Sequence, residues 1–101
     1  MELVQIAPRE GFEVLAGTDR AQAATMTLGP GQSTGGPDNR HPRSDQWLYV
    51  VSGEGRAVVE GAESGLREGA LLLIEAGEAH EIANDGELPL KTVSIYTPPV
   101  Y

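Results

Sequence analysis

From Phe12 onward, short apolar stretches alternate with clusters of glycine, proline, asparagine and aspartate, and no stretch sustains a helical period. Phe12 to Ala16 reads as a strand ended by Gly17-Thr18-Asp19. Ala23 to Leu28 reads as the next, with Ala24, Met26 and Leu28 on one face and Met26 as a core filler that can also line a pocket. Gln46 to Ser52 and Arg56 to Glu60 are predicted as strands joined in a hairpin by Gly53-Glu54-Gly55. In the first of them Gln46, Leu48 and Val50 face inward, and Trp47, Tyr49 and Val51 face out. Gly61 to Gly65 is predicted as a turn and Leu66 to Glu68 as a short strand. Gly69 opens the stretch GALLLIEAGEAHEIAN, a strand, a tight turn and a strand in which His80, Ile82 and Asn84 share a face. Leu88 to Thr97 is the last strand, with Thr92, Ser94 and Tyr96 opposite Lys91, Val93 and Ile95, and Pro98-Pro99 ends it. Gly29 to Pro37 has four glycines and two prolines in nine residues, and is predicted as a surface loop. Met1 to Ile6, with Leu3, Val4 and Ile6 before Pro8, can pair at a sheet edge. About eight to ten short strands at this spacing imply an all-β sandwich or barrel.

Length and charge narrow this picture. The 101 residues, 1–101, are expected to form a single domain, small enough to gain from a partner chain. Seven Lys and Arg against fifteen Asp and Glu give a net charge of −8, which argues against a nucleic-acid partner. The longest apolar run, Ala70 to Ile74, is too short for a membrane span. With no secretory pattern and no cysteine, a cytoplasmic location without disulfides or thiolate metal sites is expected. The outward stripe Trp47, Tyr49 and Val51 predicts a homodimer.

Two motifs carry the chemistry. In the second, Gly69, five residues, Glu75, one residue, Gly77, two residues, His80, three residues and Asn84 resemble the second signature of the cupins, with Glu75 where that pattern has proline. Loss of the proline is expected to loosen the turn. In the first, taking His41 as the second histidine of the other cupin signature leads after four residues to Gln46 and after six more to Gly53. That register puts Asn39 at the first histidine and Gln46 at the glutamate. Taking His41 as the first histidine puts Arg43 second and throws the glycine out of step.

The resemblance implies a double-stranded β-helix, the jelly-roll cupin barrel, whose interior holds one divalent metal on His41, Gln46, His80 and Asn39. Both amide side chains keep a carbonyl oxygen that can coordinate without charge. Zinc, iron, nickel, manganese and copper all suit such a set. The family includes dioxygenases, isomerases and lyases, so the resemblance implies a small organic ligand or substrate without choosing a reaction. The other reading keeps the barrel and the ligand and makes the metal site vestigial. Asn84 is expected to cap the turn after it, and Glu75, Glu78 and Glu81 to be surface charges. Arg40, Arg43 and Asp45 are read as solvated neighbours of the site, and no Ser-His-Asp set can be assembled around either histidine.

Overall fold

Eight strands form, and no helix is present among the described residues: β1 (Gly11–Gly17), β2 (Gln22–Leu28), β3 (Asp45–Ser52), β4 (Glu54–Val59), β5 (Ala62–Arg67), β6 (Leu71–Ile74), β7 (His80–Ala83) and β8 (Leu90–Thr97). The structure is a computed structural model and describes residues 1–7, 9–36 and 39–101. All strand pairs are antiparallel, in one sheet ordered β1-β2-β8-β3-β6 and a second ordered β5-β4-β7. The alternation in β3 and β8 is the one the sequence predicts. Gln46, Leu48 and Val50 are buried with Thr92, Ser94 and Tyr96, while Trp47 (42% exposed) and Tyr49 (45%) face out. Leu28, Leu48, Val50, Ala57, Leu66, Ile74, Ile82 and Leu90 make the core between the sheets.

Several expectations need correction. Gly53 does not sit in a hairpin: β3 and β4 belong to different sheets, and the chain crosses between them there. Gly53 has φ 88°, and a Cβ would collide with the Pro89 carbonyl oxygen, so glycine serves a close crossing. The hairpin is β4–β5. Its turn is Glu60-Gly61, with φ 48° and 80°, the two positive values of a type I′ turn. Most of the predicted Gly61 to Gly65 turn is therefore strand β5, whose exposed run offered no alternation to read, since only Leu66 of β5 is buried. Residues 1–7 form no strand within this chain, and Leu3 is 94% exposed. Pro8, which closed that predicted segment, lies outside the described residues.

The glycine-rich loop is more than a surface connection, although Pro37 at its end lies outside the described residues. Its backbone lies along the free edge of β7. Gly31 N donates to Asn84 O (2.9 Å), Asn84 N to Gln32 O (2.9 Å), Thr34 N to Ile82 O (2.8 Å) and His80 N to Asn39 O (2.8 Å). The seam covers a sheet edge that would otherwise be bare, and it delivers Asn39 and His41 to one end of the barrel.

The β6–β7 turn is not loosened by Glu75. The N–H that proline would lack donates to Glu78 Oε1 (2.7 Å), and Glu78 N returns a bond to Glu75 O (3.0 Å). Asp45 Oδ1 accepts from Ala76 N (2.9 Å) on the same turn. Asn84 caps as expected: Oδ1 accepts from Gly86 N (2.9 Å), while Nδ2 donates to Leu28 O (2.9 Å) and Leu88 O (2.8 Å). At 2% exposure this one amide ties the ends of β2 and β7 to the approach to β8. Asn84→Ala strands two carbonyls and an N–H in the interior and should lower stability by about 3 kcal/mol, read from the urea midpoint.

Candidate functional site

Asn39, His41, Gln46 and His80 all open on one cavity of about 290 Å³ at one end of the barrel. Four positions read from two motifs in different parts of the chain thus meet in space. Thr34, Met26 and Ile82 complete its floor and sides, and Phe12, Tyr96 and Tyr101 bring aromatic rings to it. Met26 both packs against the core and lines the cavity.

Each donor is held by a different element. His80 begins β7 and is buried, and its Nδ1 lies 3.1 Å from Glu78 O. A carbonyl can only accept, so Nδ1 carries a proton, and the lone pair of the neutral ring is at Nε2. His41 lies in the connection before β3, where its carbonyl accepts from Gly77 N (2.9 Å) and is thereby tied to the β6–β7 turn. Its ring is 5.0 Å from that of His80 and meets Tyr96 edge-on (5.3 Å, 83°). Burial lowers the His41 pKa from its ordinary 6.5, and charge repulsion from His80 adds to the effect.

Gln46 is the second residue of β3 and sits opposite Tyr96 of β8. Its Nε2 donates to Ser94 Oγ (3.1 Å), and its Oε1 is buried without a partner. Among the described residues it is the one buried side-chain polar atom so left. An unpaired buried acceptor is costly, and this one belongs to a side chain lining the cavity. Burial also raises the Tyr96 phenol pKa well above its usual value, with the adjacent Tyr101 adding to it, so Tyr96 keeps its proton.

Among the described residues no carboxylate, lysine or arginine side chain lines the cavity, and no three of His, Cys, Asp and Glu gather as a metal group. Asp45 and Glu78 are engaged with the β6–β7 turn, and Arg40 and Arg43 are exposed beside the cavity. Phe12 and Tyr101 were absent from the sequence-derived site. Phe12 looks like any strand residue, and Tyr101 follows Pro98-Pro99 beyond every strand, so no periodicity marks either.

Residues 24–96 match the family described as the cupin domain. The chain is 34% identical over 73 residues to the tetracenomycin polyketide synthase protein TcmJ of Streptomyces glaucescens, covering 72% of this chain and 48% of that protein. It spans about half the length of the curated relatives it matches. Among solved structures, BH2720 of Bacillus halodurans superposes with a TM-score of 0.87 at 30% identity, over 93% of this chain and 74% of that one. A predicted oxalate decarboxylase of Thermotoga maritima superposes with 0.79 at 25% identity, over 87% and 79%. The two facing antiparallel sheets are the double-stranded β-helix of these barrels.

The lowered His41 pKa has a readable sign. Between its folded value and 6.5 the unfolded chain binds a proton on His41 that the folded chain does not. Stability from this group is therefore complete above about pH 6.5 and is lost as pH falls below it. Melting curves of metal-free protein from pH 7.5 to 5 should show a smaller acid loss in His41→Gln than in the parent.

Proposed function

We propose that this chain, which belongs to the cupin family, holds a divalent transition metal on His41, His80 and Gln46, with Asn39 beside them, and presents it to a small organic molecule. The observation that carries the reading is Gln46 Oε1, a buried acceptor without a partner on a side chain that lines the same cavity as two imidazoles. The donor set suits such an ion. His80 offers Nε2 because Glu78 O takes Nδ1–H, His41 resists protonation, and Ser94 orients the Gln46 amide. Zinc, iron, nickel, manganese and copper all accept imidazole with oxygen donors.

When bound, such an ion supplies Lewis acidity toward a carbonyl or hydroxyl of the guest. The chain's own residues do the rest. Tyr96, kept protonated by burial, is a hydrogen-bond donor rather than a base, and Met26 and Ile82 give the cavity an apolar lining. A dioxygenase, isomerase or lyase reaction fits this arrangement, and an enzymatic reading is supported by the likeness to the predicted oxalate decarboxylase of Thermotoga maritima. A non-catalytic barrel with a vestigial site is the second reading. It is favoured by the lack, among the described residues, of a third ionisable donor beside the histidines.

Metal titration of chelator-treated protein separates the two. At a hundredfold excess over Kd a ligand specific for the folded state adds about 2.7 kcal/mol, so the melting temperature should rise, and His80→Ala should abolish the rise. Gln46→Glu places an anionic oxygen at the open position and should tighten metal binding about tenfold, equivalent to about 1.4 kcal/mol. Asp45→Asn, on the opposite face of β3, should leave metal affinity unchanged. First-row metals that leave every melting curve unmoved would establish the vestigial reading.

We also propose that the chain forms a homodimer through the outer face of the five-stranded sheet. Pairing aligns Ile95, Trp47 and Leu73 in one cross-strand row and Val93, Tyr49 and Leu71 in the next. Their exposed parts amount to roughly 500 Å² a side, near the ~1,000 Å² total expected of a specific interface. Sedimentation at micromolar concentration should give about twice 10.7 kDa, and Trp47→Ala should shift the population toward monomer.

A further inference from the structure

Tyr101 is the hub of the cavity's aromatic wall although it lies beyond the last strand. Its ring is 4.7 Å from Phe12 (53°), 5.4 Å from Tyr96 (76°) and 5.9 Å from His41 (77°). It is held there by the buried side chain of Gln22 at the start of β2. Gln22 Oε1 accepts from Val100 N (3.2 Å) and Tyr101 N (3.0 Å), and Nε2 donates to Tyr101 O (2.6 Å). Ser44 Oγ pins the same segment upstream by donating to Pro98 O (2.6 Å). A buried amide that spends both its ends on one short segment holds that segment in place.

We propose that this cavity takes a flat, uncharged aromatic ring bearing a hydroxyl or carbonyl, and that Tyr101, positioned by Gln22, is the residue that sets this preference. The proposal rests on the ligand-binding part of the function proposed above and is independent of its metal. An anionic guest would need a cation in the wall, and none of the lining residues is lysine or arginine. The net charge of −8 also repels anions on approach. A saturated guest of the same size would fill the space but forgo the edge and face contacts that Phe12, Tyr96 and Tyr101 offer. A dry cavity of about 150 Å³ accommodates one benzene, so about 290 Å³ suits one or two fused rings. Gln46 lines the cavity and its Oε1 has no partner, so it is the acceptor assigned to the guest's hydroxyl when no metal is bound.

Calorimetric titration of chelator-treated protein with 2-naphthol, 2-naphthoate and decahydro-2-naphthol tests this. The expected result is binding of 2-naphthol at least tenfold tighter than of either comparison compound. Tyr101→Ala should lose tenfold or more of that affinity, and Tyr101→Phe should keep it within threefold. Gln22→Leu should weaken 2-naphthol binding in the parent but change it no further in the Tyr101→Ala background, and the far-ultraviolet spectrum of each variant verifies the fold. Equal binding of 2-naphthoate, or an unchanged affinity in Tyr101→Ala, overturns the proposal. The two readings fail separately: binding of 2-naphthol without any metal response removes the metal reading alone, and a metal response without 2-naphthol binding removes this one alone.

Discussion

The cavity depends on a backbone seam. β7 pairs with β4 on one side only, and its other edge is covered by the backbone of Gly31, Gln32, Thr34 and Asn39, which no strand pattern would have recruited. Each bond of that seam satisfies a peptide group that the barrel would otherwise bury or leave bare. The same bonds set the position of the site. His80 N donating to Asn39 O brings the loop donor against the strand donor, and His41 O accepting from Gly77 N locks the loop to the β6–β7 turn. The backbones of Asn39, His41 and His80 are therefore positioned by main-chain bonds.

Two buried amides show how the interior divides structural from chemical work. Asn84 spends both ends on backbone and binds three segments together. Gln46, buried to a similar degree, spends only Nε2, on Ser94, and leaves Oε1 open. An unpaired buried acceptor costs stability, and that difference is what the metal site proposed above rests on.

The distribution of charge follows the same division. The acidic excess lies outside the cavity. Asp45 and Glu78 clasp the turn, and Arg56 lies 3.7 Å from both Glu63 and Asp85 on the exposed face of the smaller sheet. Inside, the described lining is imidazole, amide, hydroxyl, phenol, thioether and hydrocarbon, with no carboxylate side chain among it to offset a bound cation.

Alternation in β3 and β8 was legible in the sequence, because a strand with one buried face must repeat every second residue. Motif spacing likewise pointed to Asn39, His41, Gln46 and His80 as neighbours before any pairing was known. Pairing itself was not legible: Gly53-Glu54-Gly55 has the composition of a hairpin and acts as a crossing between sheets, since glycine permits either and only the packing of Pro89 against Gly53 decides. β5 had no alternation to show because it is an edge strand with one buried side chain. Tyr101 joined the cavity through bonds to Gln22, 79 residues away, and contacts of that range exist only once the sheets have closed.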